Sequence, residues 1–263
     1  KCNYGGQIYI CTNCYGEAEY DVEFENFFCD TCEMLHEKYS VVSSECPNCN
    51  TVVENSVKTN IDERIFFFDT ETNGLPNNYK ADIGDISNWP RVVQFAYQIF
   101  DIKGKHIKSV DLIIKPTGFI ISDESIKIHK ISNAKALNEG IEIEKALNII
   151  TSDIQSVSTI VAHNLSFDFA VINCEYKRLG LSNPLSGKKE VCTMTESTNY
   201  CAINSSYGFK WPKLSELHFK LFGTNFEEAH NAAYDINATS KCFWKLLEIG
   251  VIKLTKEKNE NQI

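Results

Sequence analysis

Unbroken apolar runs and helical apolar spacing alternate along the chain. Ile65–Phe68 is a continuous apolar run that follows a polar segment, which predicts a buried central strand. Val92–Phe100 and Ile107–Ile114 are two further extended segments, and Gly104 marks the connection between them. We therefore expect three consecutive strands of one sheet, joined by antiparallel links.

The second half of the chain alternates between helical segments and one short strand. Helical spacing or capping signals predict five helices, over Ser122–Lys130, Glu142–Ser156, Phe167–Leu179, Leu214–Leu221 and Glu227–Leu247. Thr159–Ala162 is predicted to be a strand between two of them. Antiparallel strands followed by helix, strand and helix indicate an α/β fold whose mixed sheet has an antiparallel edge.

Two carboxylates follow the first predicted strand. Asp69 ends the apolar run and Glu71 lies two positions later, so both side chains share one face of an extended chain. Close carboxylates repel one another unless a cation is bound, and Mg²⁺ is the usual ion at phosphate sites. Taken alone, an Asp-x-Glu after a strand is more often a solvated strand end than a metal site.

Three further polar residues complete the candidate chemistry. Asp168 falls in the first turn of a predicted helix, where acids are also favoured without any function. His230 and Asp235 are five positions apart near the start of the last predicted helix, where a lone histidine is more often structural. Together, four carboxylates and one histidine are the groups needed for two-metal phosphodiester hydrolysis.

The order and spacing of these stretches resemble the DnaQ-like exonucleases of the DEDDh type. DTETNGLP matches the first motif of that family, HNLSFD the second, and H-x-x-x-x-D the third. RVVQFAYQIFD, SIKIHKIS and WPKLSELHFKLFG are also similar to segments of the family. The resemblance covers roughly residues 62–250. It implies an RNase H-like fold, in which a mixed five-stranded sheet has helices on both sides.

The resemblance also implies a reaction and its residues. The expected activity is 3′–5′ exonuclease hydrolysis, which releases nucleoside 5′-monophosphates. Two Mg²⁺ or Mn²⁺ ions would be held by four carboxylates, those of Asp69, Glu71, Asp168 and Asp235. His230 would take the proton of the attacking water.

Substrate contacts carried over by the resemblance lie near the first two motifs. The backbone around Thr70 and the side chain of Leu75 would pack on the terminal sugar and base. His163 and Asn164 are expected to contact the substrate or, as an equal alternative, to make hydrogen bonds at the end of a strand.

Residues 1–58 hold seven of the eleven cysteines. Six of them form three CxxC pairs, and two such pairs can close a tetrahedral zinc site. The pairs are Cys11 with Cys14, Cys29 with Cys32, and Cys46 with Cys49. Cys2 and His36 bring the candidate ligands to eight, so one or two Zn²⁺ ions are expected, in a sequential or interleaved pairing. Disulfides are the alternative, disfavoured because no signal peptide is visible.

The cysteine-rich segment is strongly acidic. It carries three lysines against ten acids, a net charge of −7 out of −9 for the whole chain. Nucleic-acid binding depends on Lys and Arg, so we expect this module to be a structural cap or a protein-docking element. We expect the nucleic acid to be held by residues 59–263 instead.

A basic and aromatic stretch precedes the third motif. Four lysines could line a path for the nucleic-acid strand or form a solvated face, namely Lys188, Lys189, Lys210 and Lys213. Four aromatic residues could stack on bases or anchor a long loop, namely Tyr200, Tyr207, Phe209 and Trp211.

Composition limits the class of protein. Hydrophobic residues make up 43% of the chain and no apolar run approaches the length of a membrane span, so a soluble globular protein without membrane contact is expected. Free thiols favour a reducing compartment, cytoplasm or nucleus, and abundant Asn, Ile and Lys suit an AT-rich bacterial or viral genome. The expected domains are a zinc module (1–58), an exonuclease domain (59–250) and a charged tail (251–263).

Single-stranded or 3′-ended nucleic acid is the expected substrate, with DNA favoured over RNA. Proofreading, repair and degradation all fit such an enzyme. A 3′–5′ exoribonuclease of the same fold is one alternative, because no motif shows how the 2′-hydroxyl is treated. A non-catalytic zinc adaptor that binds protein partners is the other.

Overall fold

A computed structural model describes residues 63–226 and 231–254, together with the backbone of six short strands in the first 53 residues. These strands are β1 (Tyr9–Ile10), β2 (Glu17–Asp21), β3 (Asn26–Cys29), β4 (Met34–His36), β5 (Ser44–Glu45) and β6 (Val52–Val53). β1–β4 form an antiparallel sheet in chain order, and β5 pairs with β6. The chain divides into two compact units, Lys1–Ile61 and Asp62–Ile263.

The predicted zinc ligands belong to the first unit. Their side chains lie outside the described part of the chain, so the structure does not support the predicted zinc module and the zinc site stays a prediction. This holds for all eight candidates, namely Cys2, Cys11, Cys14, Cys29, Cys32, His36, Cys46 and Cys49. The predicted domain boundaries, at residues 58 and 250, stay predictions as well.

A mixed five-stranded sheet forms the centre of the second unit. Its strands are β7 (Arg64–Thr72), β8 (Val92–Asp101), β9 (His106–Ile113), β10 (Val157–Ala162) and β11 (Lys189–Cys192). They lie in the order β11-β10-β7-β8-β9. The β7–β8 and β8–β9 pairs are antiparallel, whereas β10 is parallel to β7 and to β11. The mixed sheet with its antiparallel edge is confirmed.

Eight helices and a small hairpin complete the described part of this unit. The helices are α1 (Asp123–His129), α2 (Asn133–Glu139), α3 (Ile143–Asp153), α4 (Leu165–Arg178), α5 (Thr193–Glu196), α6 (Thr198–Cys201), α7 (Leu214–Phe222) and α8 (Ala232–Glu248). The hairpin joins β12 (Asn204–Ser205) to β13 (Gly208–Phe209). Among the described residues, no helix combines the length and apolar character needed to cross a membrane.

Strand β7 is buried on both faces. Phe66 and Phe68 belong to a core cluster that also contains residues of α3 and α4. Ile65 and Phe67 lie on the opposite face, in a cluster with Phe243 of α8. Since side chains alternate along a strand, the odd-numbered positions that follow are directed to the α8 side of the sheet. Asp69 and Glu71, the next two odd-numbered residues of β7, are therefore directed to the α8 side.

Helix α8 begins later than the sequence predicted. Asn231 has an extended backbone (φ −130°, ψ 121°) and its side chain accepts a hydrogen bond from Ala233 N, so it caps a helix whose first residue is Ala232. The prediction of one helix from Glu227 is wrong at this point, because Asn231 stabilises a helix start and not a helix interior. Residues 227–230, which include His230, lie outside the described residues.

Candidate active site

Three half-buried carboxylates converge at the end of β7. One carboxylate oxygen from each of Asp69, Glu71 and Asp235 lies within 4.8 Å of the others. Strand alternation directs the first two side chains to the face on which α8 packs, and Asp235 lies in the first turn of that helix. The prediction that Asp69 and Glu71 share a face therefore agrees with the structure.

A fourth carboxylate, that of Asp168, joins them from the first turn of α4. This side chain is only 3% exposed. Its Oδ1 accepts two hydrogen bonds from Thr70, one from the amide nitrogen at 2.9 Å and one from Oγ1 at 2.6 Å. Thr70 lies between Asp69 and Glu71 on β7, so a single residue connects the strand acids to the helix acid. Thr70 is thus a positioning residue, a role that the sequence did not indicate.

Burial and mutual repulsion raise the pKa values of the clustered acids. The pKa of Asp69 lies well above its usual value because of burial and then because of its three acidic neighbours. Burial, followed by the charges of Asp235 and Asp168, raises the pKa of Glu71 to about 8. Burial also raises the pKa of Asp168 to about 7, although the Thr70 hydrogen bonds lower it. A divalent cation would offset this repulsion by stabilising the ionised forms.

The donor set fits a hard cation. All ligand atoms in the cluster are carboxylate oxygens, which suit Mg²⁺ or Mn²⁺ and not the softer, nitrogen- or sulfur-preferring metals. Within the described residues this is the only group of three or more His, Cys, Asp or Glu side chains with metal-binding geometry.

Two glutamines of β8 hold α8 against the sheet. Gln94 is 2% exposed, and its Oε1 accepts a hydrogen bond from Ala232 N at 3.3 Å. Gln98 Oε1 accepts a hydrogen bond from Ser240 Oγ at 3.0 Å. These contacts fix the first half of the helix and so the position of Asp235. In the sequence, these contacts are indicated by the two amide side chains, Gln94 and Gln98, within an otherwise mostly apolar strand.

The residues predicted to contact the substrate differ in exposure and in the hydrogen bonds that they already make. Leu75 is 73% exposed and lies three residues beyond the end of β7, so its side chain is free to pack on a ligand. Both ring nitrogens of His163 have protein partners at 3.0 Å, Thr193 Oγ1 and Pro212 O, and burial lowers its pKa to about 4. These two contacts agree with the alternative role of His163, which is to make hydrogen bonds at the end of a strand. Asn164 precedes α4 in a left-handed conformation (φ 74°), and its side chain makes no capping hydrogen bond.

Comparison with known proteins places this site in a family. An exonuclease family model, RNase_T, matches residues 66–243, from β7 into α8. The DNA polymerase III PolC-type of Staphylococcus haemolyticus is 28% identical over 206 residues, which is 74% of this chain and 12% of that protein. The corresponding protein of Listeria innocua is 25% identical over 184 residues, 69% of this chain and 11% of its own length. The chain thus spans a small part of these relatives.

Solved structures share the fold. E. coli Exonuclease I in complex with a dA16 oligonucleotide superposes with a TM-score of 0.56 at 19% identity, covering 71% of this chain and 41% of that chain. Exonuclease I from Methylocaldum szegediense gives a TM-score of 0.54 at 21% identity, with 71% and 40% coverage. At these identities the likeness establishes the α/β fold, with its mixed five-stranded sheet flanked by helices.

Proposed function

The chain belongs to the RNase_T exonuclease family, and we propose that it is a metal-dependent 3′–5′ exonuclease that acts on DNA in preference to RNA. The observation that carries this proposal is the convergence of Asp69, Glu71, Asp168 and Asp235 at one end of the sheet. A scaffold has no need of four crowded acids whose pKa values are raised, so an enzyme is favoured over a non-catalytic adaptor.

The four carboxylates would hold two Mg²⁺ or Mn²⁺ ions. When bound, two such ions activate water and stabilise charge on the attacking and leaving oxygens of a phosphodiester. Thr70 keeps Asp168 oriented, and the docking of α8 on Gln94 keeps Asp235 facing β7. The protein thereby keeps the ligand oxygens close together before substrate arrives, which reduces the reorganisation that the reaction requires.

His230 is the proposed general base. It stands directly before Asn231, the residue that caps α8 and so begins the helix that carries Asp235. We expect its imidazole to accept the proton of the attacking water. His230→Ala should lower kcat strongly while Mn²⁺ affinity, measured by calorimetry, stays near that of the wild type. A His230→Ala protein with wild-type turnover would remove this residue from the mechanism.

The terminal nucleoside is proposed to lie against Leu75, with Thr70, His163 and Asn164 nearby. Leu75 has an exposed side chain three residues beyond the end of the strand that carries two of the acids. Leu75→Ala should therefore raise KM for an oligonucleotide more than it lowers kcat, because the contact is made with bound substrate and not only in the transition state. Equal KM values for Leu75→Ala and the wild-type protein would argue against this contact.

Two comparisons support DNA as the substrate. The relatives are DNA polymerase III proteins, and E. coli Exonuclease I has been solved with single-stranded DNA. The second candidate is a 3′–5′ exoribonuclease of the same fold. Matched DNA and RNA oligonucleotides distinguish them, since the 2′-hydroxyl is the group by which a protein tells RNA from DNA.

The N-terminal cysteines are proposed to bind zinc and to dock a protein partner. Eight potential ligands and a net charge of −7 in residues 1–58 support this proposal. Metal analysis of the purified chain should give one or two zinc ions per molecule. Oligonucleotide affinity should survive removal of residues 1–58 if the nuclease unit remains folded, whereas a large loss would show that this module holds the nucleic acid.

A further inference from the structure

A short hairpin between α6 and α7 carries three exposed aromatic side chains. Strands β12 and β13 pair with Asn204 opposite Phe209. Tyr207 lies in the turn and is fully exposed, while Phe209 is 48% and Trp211 is 65% exposed. We name Tyr207, Phe209 and Trp211 together the aromatic hairpin residues. Their exposure favours base stacking over anchoring of the loop, the other role open to them.

The opposite side of this hairpin is fixed to the protein. Lys210 Nζ lies 2.6 Å from Glu216 Oε1 and 2.8 Å from Glu216 Oε2, in the first turn of α7. Lys210 stands between Phe209 and Trp211 in the sequence. Because side chains alternate along an extended chain, the two rings are directed away from the side that meets α7. The hairpin thus presents its rings to solvent from an anchored base.

The base of the hairpin contacts the same end of the sheet as the acids. Pro212, the residue after Trp211, has its carbonyl oxygen 3.0 Å from His163 Nε2. His163 follows β10 and is five residues before Asp168, which is less than two turns of helix. The contact therefore places the hairpin next to the entrance of α4, whose first turn carries one of the clustered acids.

Two lysines near the hairpin favour an anionic ligand for these rings. Residues 197–226 contain three lysines and a single acid, Glu216, which pairs with Lys210 and leaves Lys213 and Lys220 as the unmatched charges between Glu196 and Glu227. Lys213 and Lys220 are both exposed; Lys213 directly follows Pro212, and Lys220 lies on α7 with its Nζ 5.9 Å from the Tyr200 ring centroid. Aromatic rings flanked by cations suit an unpaired polynucleotide, whose bases stack and whose phosphates are negative.

We propose that the aromatic hairpin residues form a stacking platform for unpaired bases of a single-stranded nucleic acid whose 3′ end lies at the acid cluster. The proposal rests on the proposed exonuclease function and extends it to the nucleotides on the 5′ side of the cleaved bond. Stacking tolerates any sequence because every base has a π-face. The platform would therefore increase affinity for longer strands without selecting their sequence.

The test compares a long substrate with one that ends at the cleaved phosphodiester. The full chain is assayed on dT12 and on the p-nitrophenyl ester of thymidine 5′-monophosphate. We expect Tyr207→Leu and Trp211→Leu each to lower kcat/KM on dT12 about tenfold relative to that on the ester. Tyr207→Phe and Trp211→Phe keep a ring and should match the wild-type ratio. Ile107→Ala, an exposed apolar residue on the edge strand β9, is the control for surface truncation.

Equilibrium binding separates this proposal from the proposed function. Fluorescence anisotropy of labelled dT12 with Ca²⁺ in place of Mg²⁺ should show about tenfold weaker binding by the leucine variants. If the wild type cleaves neither substrate but this difference is present, the platform stands and the exonuclease function fails. Leucine variants that bind and cleave dT12 like the wild type would overturn the platform. So would a change of oligomeric state on leucine substitution, because the rings would then contact a second copy of the chain.

Discussion

Replacing Thr70 with valine removes one of the two hydrogen bonds that Asp168 Oδ1 accepts. The hydroxyl contact is the shorter, at 2.6 Å, and the amide contact at 2.9 Å remains. Valine keeps the branched shape that suits a strand. A hydrogen bond to a charged group contributes about 1.5–3 kcal/mol. Since 1.36 kcal/mol corresponds to a factor of ten, the affinity of the site for a divalent cation should fall about ten- to a hundredfold.

Mn²⁺ titration measures this loss directly. The half-saturating Mn²⁺ concentration of Thr70→Val should rise by that factor in calorimetry and in activity assays, and most of the turnover should return at saturating Mn²⁺. Thr70→Ser keeps the hydroxyl and is the matched control, and thermal unfolding checks that both variants are folded. A Thr70→Val protein that binds Mn²⁺ as tightly as the wild type would refute the positioning role.

Three further predictions concern charge and packing. Burial and neighbouring acids raise the pKa of Glu71 to about 8, so this carboxyl loses its proton as the pH rises from 6 to 8. Over that range the metal-free protein should become less stable and its affinity for Mg²⁺ should rise. An affinity for Mg²⁺ that does not change with pH would contradict this. Glu175→Ala leaves Arg91 and Arg178, 2.8 and 3.1 Å away, without their buried partner and should cost about 3 kcal/mol in urea unfolding; a loss below about 1 kcal/mol would contradict it. Gly140→Ala places Cβ 2.3 Å from a backbone oxygen and should cost about 1–3 kcal/mol with unchanged kcat; unaltered stability would show that the backbone can shift freely.

Elements with a strong apolar pattern were predictable from the sequence. Ile65–Phe68 is the most buried part of β7, and the antiparallel partners β8 and β9 lie within two residues of their predicted bounds. The acidic pair was predictable for the same reason, since strand alternation alone places Asp69 and Glu71 on one face. The prediction of a helix that brings Asp168 in its first turn is also confirmed.

Elements without such a pattern were not predicted. In β11 only Val191 is buried, because the strand forms one edge of the sheet. In α2 only Ala136 is buried, so helical apolar spacing is absent. The start of α8 was misplaced because Ala229 continues the apolar spacing before Asn231, whose capping hydrogen bond ends that continuity. Local capping thus outweighed periodicity.

Contacts between distant segments could not be inferred from spacing. Thr70 and Asp168 are 98 residues apart, and Gln94 and Ala232 are 138 residues apart, yet both pairs set the geometry of the acids. Such contacts depend on strand order and helix placement, which no single stretch of sequence specifies. The exposure of Trp211 likewise could not be inferred from composition.

Digestion of matched 5′-labelled DNA and RNA oligonucleotides with Mg²⁺ or Mn²⁺ tests the central claim most directly. We expect a ladder that shortens from the 3′ end, with DNA cleaved faster, and no ladder with Asp69→Asn. This variant keeps the size of the side chain but removes a charge from the cluster. No cleavage of either oligonucleotide by the wild type, or equal cleavage by Asp69→Asn, would contradict the assignment of the four carboxylates to phosphodiester hydrolysis.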